Sequence, residues 1–206
     1  ATGMHVALKG QINRVLADGD FKGKPKSTMS LVGSEGGKAM LVGLGKEDDA
    51  DVHAYRKAGA AVVAARKKTH GTDLTVRFAG ASIECMGAFA EGMLLRDYSY
   101  DEYKMQKEED KESERSVRIT CDEGQEEDLQ ALVNIHSGVA SGVHLSRDLG
   151  NCPPNDMYPE AFSDMAWEWA KQYDNVDVTI INYEHAMKAG MGGLVAVGMG
   201  SSRKPC

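Results

Sequence analysis

Two stretches rich in proline and glycine near the carboxy terminus decide the fold. Residues 146–160 read SRDLGNCPPNDMYPE, and residues 190–201 read GMGGLVAVGMGS. The paired prolines Pro153 and Pro154 disfavour helix in the residues before them, whereas Pro159 suits the first turn of a helix. We therefore expect an extended segment and then a helix. The apolar face of that helix is formed by Phe162, Met165, Ala166 and Trp169.

Beyond that helix, alternating apolar residues predict two strands. Residues 176–180 are apolar at every second position, and residues 194–197 begin the second strand. A short helix over residues 183–188 separates the two strands, and Gly190 is its expected C-cap. This order predicts the beginning of a second α/β domain over residues 150–206.

One long helix is predicted immediately before this stretch, over residues 126–149. Its main stripe recurs at three- and four-residue spacing and consists of Leu129, Leu132, Val133, His136, Ala140 and Val143. Serines and glycines between them allow close packing against another element. The length suits a rod between two domains, so we predict a linking helix over residues 125–149.

Residues 1–124 predict a first α/β domain. A helix from Met4 to Leu16 opens it. Two β-prone runs, at residues 27–33 and 38–43, are joined by a glycine-rich turn and should pair antiparallel.

From residue 52 onward, helices and strands alternate along the chain. We predict a long helix that starts near Val52, a strand over residues 74–78, a helix over residues 83–94 and a strand over residues 116–121. This order is typical of a layered α/β sheet. Gly59 lies inside the first of these helices, where it allows a neighbouring element to approach closely.

Methionine and charge patterns separate core from surface. Met86 and Met93 lie on an apolar helical stripe and are expected in the core. Residues 103–115 carry nine charged side chains and almost nothing apolar, and such a run cannot bury enough apolar surface to enter a core. We expect it to be a solvated loop.

Composition excludes several classes of partner. The chain has 206 residues, 42% of them hydrophobic, and a formal net charge of −7, which opposes binding to nucleic acid. No apolar run approaches the roughly 20 residues that span a bilayer, and residues 1–10 do not resemble a signal peptide. The cysteines, which show no CxxC spacing, are expected to be reduced. They are Cys85, Cys121, Cys152 and Cys206. These features predict a soluble, cytoplasmic protein with no membrane partner.

Five blocks, taken in order, resemble the leucyl aminopeptidases, which are cytosolic two-metal exopeptidases. The first is LADGDFKGK at residues 16–24. The second is LVGLGK at residues 41–46, together with RKAGA at residues 56–60 in the helix that follows. The third is EGMLLRDYSYDEYK at residues 91–104. The last two are residues 151–162 and 188–201. Each block is weak alone, and their common order carries the resemblance.

The resemblance implies a macro-like amino-terminal domain, with a mixed sheet flanked by helices and lacking its first strand. A linking helix and the start of the catalytic domain follow it. It also implies a homo-hexameric enzyme that removes N-terminal residues, leucine among them, from peptides. Two divalent ions, zinc, manganese or magnesium, would activate a water and polarise the scissile carbonyl.

The family's metal ligands lie in a Gly-Lys-Gly run leading to Phe-Asp-Ser-Gly-Gly, and in Asn-Thr-Asp-Ala-Glu-Gly-Arg. Neither motif occurs in this sequence. No catalytic, cofactor-binding or metal residue is therefore assigned to this segment, which is expected to be structural, oligomerising and inactive alone. The alternative is a free-standing macro-type module that binds a nucleotide or ADP-ribose.

Two glycine runs and the histidines are weaker site candidates. Residues 33–38 read GSEGGK, but Ala39 follows the lysine, so a hairpin turn is favoured over a phosphate loop. Residues 190–193 follow a helix and favour a tight turn over dinucleotide binding. The histidines show no metal-binding spacing and are expected to serve packing or interfaces. They are His5, His53, His70, His136, His144 and His185.

Overall fold

The computed structural model describes residues 6–33, 36–66, 73–105 and 116–206. The chain divides into two compact units, Ala1–Leu145 and Ser146–Cys206. Within the described ranges, no helix combines the length and the apolar character that crossing a bilayer requires. The predicted charged loop at residues 103–115 falls mostly outside these ranges.

The first unit alternates helices and strands. Its helices are α1 (Val6–Ala17), α2 (Val52–Arg66), α3 (Ile83–Asp97) and α4 (Glu126–Asn151), and α4 continues into the second unit. Its strands are β1 (Thr28–Val32), β2 (Lys38–Val42), β3 (Asp73–Val76) and β4 (Ser116–Ile119). Each predicted element of this region is therefore confirmed, with ends shifted by a few residues.

The described strands form two sheets of two strands each. β1 and β2 pair antiparallel, with Thr28 opposite Val42, so the predicted hairpin is confirmed. β3 and β4 pair parallel, with Val76 opposite Ile119. Parallel neighbours require a crossover connection, and the chain between them contains α3.

The core of the first unit lies between α2 and α3. Its buried residues are Tyr55, Ala58, Val62, Val63, Phe89 and Met93. The rings of Phe78 and Phe89 meet edge to face, with their centroids 5.2 Å apart. Met86 and Met93 are both buried, as predicted.

Two glycines allow α2 and α3 to touch through their backbones. A Cβ built on Gly59 would lie 2.0 Å from the carbonyl oxygen of Phe89, and one built on Gly92 would lie 1.9 Å from the carbonyl oxygen of Arg56. No side chain fits at such a distance. The predicted close approach at Gly59 is confirmed, and Gly92 is its counterpart on the other helix.

The second unit contains helices but no strand among its residues. After the end of α4, the chain forms α5 (Pro159–Ala170), α6 (Tyr183–Lys188) and α7 (Gly192–Gly198). The helix beginning at Pro159, the helix over Tyr183–Lys188 and the turn at Gly190, where φ is 72°, are confirmed.

The two strands predicted in this unit are wrong. Residues 176–180 lie outside any helix or ladder, and residues 194–197 belong to α7. A helix completes hydrogen bonds within its own segment, whereas a strand needs a paired neighbour, and these residues have none in the structure. Short apolar runs do not distinguish these outcomes by pattern alone.

Candidate functional site

The described residues contain no group of three or more His, Cys, Asp or Glu side chains arranged to hold a metal ion. The two-metal site that the family resemblance implies therefore finds no fitting set of ligands in the ranges that the structure describes. No chemical step is assigned to a metal here.

The four cysteines are free thiols, as predicted, and each is half-buried. Cys206 places its Sγ 2.9 Å from the Oγ of Ser163, a contact between a helix of the second unit and the segment that follows α7. Within the described residues neither atom contacts a basic side chain, so this pair lacks the activation that a nucleophile needs.

The main cluster of charged side chains joins α2, α3 and α4. Glu91, which is only 9% exposed, accepts hydrogen bonds from Arg56 through Oε2. The Arg56 nitrogens Nε and Nη2 both lie 2.9 Å from that oxygen. His136 Nδ1 lies 3.2 Å from the same atom. One carboxylate oxygen thus connects three helices.

Small residues make room for this cluster. Gly92 brings Arg56 on α2 close to Glu91 on α3, since their helices touch at that point. A Cβ on Gly87 would lie 3.1 Å from the His136 ring, so Gly87 admits the imidazole against α3. The glycines of α3 therefore position both partners of Glu91.

The hydrogen-bond roles follow from the chemistry of the groups. Arginine cannot accept a hydrogen bond, so His53 Nδ1, which lies 3.0 Å from Arg56 Nη1, must be the acceptor. The Glu91 carboxylate is an acceptor, so His136 Nδ1 carries a proton and donates it. With its buried oxygen already shared by three donor nitrogens of Arg56 and His136, Glu91 is better suited to holding helices together than to acting as a base.

The described histidines divide between packing and surface positions. His144 places Nε2 3.1 Å from the carbonyl oxygen of Leu94, and its ring centroid lies 5.2 Å from that of Tyr98. His136 and His144 therefore serve packing, as predicted, whereas His53 and His185 are exposed. The remaining two histidines of the sequence lie outside the described residues.

Sequence reasoning did not single out Glu91 or Arg56. The available signal was an acidic residue within the otherwise apolar stripe of α3, next to Gly92. A carboxylate at such a position is rarely buried without a partner, so this pattern indicates a cation on a neighbouring helix.

The glycine runs form turns. Residues 33–38 connect β1 and β2, and Gly36 has a φ of 81°, although Ser34 and Glu35 lie outside the described residues. At residues 190–193 the tight turn is confirmed, because the Met191 amide donates to the Ala186 carbonyl at 3.0 Å. The expectation that this run opens no helix is wrong, since Gly192 begins α7.

Two sequence models of one protein family match the chain in succession. Residues 3–107 match the cytosol aminopeptidase family, N-terminal domain, and residues 144–206 match the cytosol aminopeptidase family, catalytic domain.

Curated relatives are similar along nearly the whole chain. The probable cytosol aminopeptidase of Stutzerimonas stutzeri is 30% identical over 209 residues, which cover 97% of this chain. That of Rhizobium etli is 34% identical over 193 residues, which cover 90% of it. The chain spans only 42% and 38% of the lengths of these two proteins.

Solved structures share the fold. A mutant of tomato leucine aminopeptidase superimposes with a TM-score of 0.79 at 26% sequence identity, covering 96% of this chain and 40% of that one. The bottromycin maturation enzyme BotP in complex with Mn gives a TM-score of 0.74 at 26% sequence identity. The superposition covers 99% of this chain and 41% of the BotP chain. The predicted α/β fold class is confirmed.

Proposed function

Because the chain belongs to the cytosol aminopeptidase family, we propose that the full-length protein is a metal-dependent aminopeptidase that removes N-terminal residues, leucine among them, from peptides. The observation that carries this proposal is the succession of the two family domains along one chain. An unrelated protein that had borrowed one module would match one domain and not both in order.

The 206 residues contribute structure to that enzyme. In this proposal, residues 1–124 are a macro-like amino-terminal domain, residues 125–149 are the linking helix, and residues 150–206 are part of the catalytic domain. The metal ligands belong to residues outside this segment. The segment positions the catalytic domain, contributes contacts between subunits and has no activity alone.

Exposed apolar side chains of the second unit support this assignment. On α5, Trp167 is 48% exposed, and on α7, Val197 is 87% exposed. Other large apolar residues exposed in this unit are Phe162, Trp169, Tyr173, Ile180, Ile181, Met187, Met191, Leu194 and Met199. Soluble domains rarely leave so many large apolar groups uncovered, so we expect further residues of the full-length protein to pack on them.

The cofactors of the full-length enzyme would be two divalent ions, zinc, manganese or magnesium. Such ions supply Lewis-acid polarisation of a carbonyl and a water activated as nucleophile. The similar structure of BotP in complex with Mn supports a metal requirement. We further propose a cytoplasmic homo-hexamer that acts on peptide substrates.

Hydrolysis by the full-length protein tests the proposal. We expect it to release p-nitroaniline from leucyl-p-nitroanilide in the presence of Mn²⁺ or Zn²⁺, and to lose this activity after treatment with a chelator. The isolated 206-residue segment should be inactive under the same conditions. Light scattering of the full-length protein should give six times the mass of one subunit. Metal-independent turnover, or turnover by the segment alone, would contradict the assignment.

A further inference from the structure

A basic cavity lies on the first unit. Its volume is about 500 Å³. It is lined by the cationic residues Lys26, Lys57 and Arg96, by Thr28 and by alanines of α2. We propose that this cavity binds a phosphorylated small molecule, a function separate from peptide hydrolysis.

The lining of the cavity is positively charged. Of the residues that the structure describes, three cations and no carboxylate line the cavity, although the whole chain has a net charge of −7. In the part of the chain that the structure describes, Lys26, Lys57 and Arg96 form no ion pair with any acidic side chain. Three like charges around one cavity repel one another, and a bound anion would remove that repulsion.

Asp51 and Asp97 lie near these cations in the sequence and form no ion pair with them within the described residues. Lys57 contributes least to the lowered pKa of Asp51, and the hydrogen bond from the Ala54 amide contributes most. Asp97 directly follows Arg96, and adjacent residues of a helix do not face each other. The positive charge therefore remains available to a ligand.

The position of Lys26 is fixed by the backbone. Lys26 is the one non-glycine residue with a positive φ, 64°, among the described residues. Its amide donates to the Gly43 carbonyl at 3.1 Å, and the Gly43 amide donates to the Ser27 carbonyl at 2.8 Å. A Cβ on Gly43 would lie 2.2 Å from the carbonyl oxygen of Lys24. The turn that carries Lys26 is thus held tightly against the end of β2.

The floor of the cavity determines the class of ligand. Ala60, Ala61, Ala64 and Ala65 form one side of α2 and are half-buried. Their methyl groups present an apolar surface beside the three cations and Thr28. A phosphate suits the cations, because Arg and Lys form charge-assisted hydrogen bonds with its oxygens. An apolar organic group suits the alanines, and the volume lies within the range of small-molecule sites.

Calorimetric titration of the full-length protein at constant ionic strength tests the site. The probes are adenosine monophosphate, inorganic pyrophosphate and adenosine. We expect saturable binding of adenosine monophosphate, weaker binding of pyrophosphate and none of adenosine. Lys57→Gln and Arg96→Gln should each weaken the binding of adenosine monophosphate roughly tenfold. Lys9→Gln, which removes the same charge from an exposed position on α1 outside the cavity, should leave it unchanged.

A variant that changes only the shape of the cavity distinguishes the contribution of the alanines to binding from that of the cations. Ala61→Leu keeps every charge and places a larger side chain on the floor, so it should weaken adenosine monophosphate more than pyrophosphate. Circular dichroism should show each variant folded. Absence of saturable binding, equal effects of Lys9→Gln and Lys57→Gln, or equal affinity for adenosine and its monophosphate would overturn the proposal. None of these results depends on whether the protein cleaves peptides.

Discussion

Gly59 and Gly92 show how single residues set the distance between two helices. Each lies where a Cβ would meet a carbonyl oxygen of the other helix, at 2.0 Å and 1.9 Å respectively. Glycine normally weakens a helix, since it gives up more backbone freedom than alanine on folding. At these two positions the cost is offset by the contact between α2 and α3, which forms the core of the first unit.

Replacing Gly59 by alanine should destabilise the protein. The added methyl group forces α2 and α3 apart, which we expect to lower the free energy of unfolding by about 1–3 kcal/mol or more. Gly138→Ala is the matched control, because a Cβ there meets nothing within 4 Å, and it should stabilise by about 0.5–1 kcal/mol. Urea unfolding followed by far-ultraviolet circular dichroism measures both. Equal effects of the two substitutions would contradict the role of Gly59.

The Glu91 carboxylate is largely buried and is the counter-charge of Arg56. Glu91→Gln preserves the shape but leaves Arg56 without its counter-charge. Breaking a buried pair costs about 3–5 kcal/mol, and because Arg56 is 33% exposed we expect a smaller loss, about 1–3 kcal/mol.

The exposed pair Glu168 and Lys171 on α5 and its C-cap provides the control for Glu91. Glu168→Gln should change the free energy of unfolding by less than about 0.5 kcal/mol, because solvent screens exposed pairs. Both variants are compared in urea at neutral pH. An effect of Glu91→Gln no larger than that of Glu168→Gln would show that the cluster joining α2, α3 and α4 does not stabilise the fold.

At the scale of elements, helix starts depend on side-chain caps. Ser82 accepts from the Cys85 amide at the start of α3, and Asn182 accepts from the His185 amide at the start of α6. Asp51 plays the same part for α2, where its Oδ1 accepts from the Ala54 amide at 2.9 Å. That hydrogen bond lowers the pKa of Asp51 below its ordinary value of 3.8.

The Asp51 cap gives a pH-dependent prediction. A carboxyl whose pKa is lowered by folding stabilises the protein above its unfolded pKa, and this contribution is lost as pH falls through the lower, folded pKa. Asp51→Ala should therefore lower the midpoint of thermal unfolding by a few degrees at pH 7. The difference from the wild type should shrink below pH 3.8. Asp51→Asn is the control, because its side chain keeps a hydrogen-bond acceptor at every pH. A difference in midpoint between the wild type and Asp51→Ala that widened in acid would contradict the prediction.

The element order of the first unit could be predicted because each element there is specified by its own pattern. Turn glycines bound the hairpin, and the stripes of α2 and α3 repeat over four turns. The strand predicted at residues 194–197 failed for a physical reason. Four apolar residues fit a strand or a short helix equally well, and the presence of a pairing neighbour, which local sequence does not contain, decides between them.

At the scale of the whole molecule, the sequence predicts membership of a family better than it predicts sites. The five blocks agree with the two matched domains. The sequence pattern predicted neither the cluster around Glu91 nor the basic cavity. Both of these sites combine residues from elements far apart in the chain. Glu91 and His136 are separated by 45 positions and meet only because Gly87 lets α4 approach α3. Such meetings depend on packing, which pattern and spacing do not encode.

The contact at Gly43 also has an evolutionary consequence. Residues 23–24 end one of the blocks that resemble the family, and Gly43 lies in the next. Since the Gly45 amide donates to the Gly23 carbonyl at 2.9 Å, and Gly43 leaves no space for a methyl group beside Lys24, the two blocks form one structural unit. A lineage that replaced Gly43 would have to rebuild the turn before it, so substitutions in the two blocks should be inherited together.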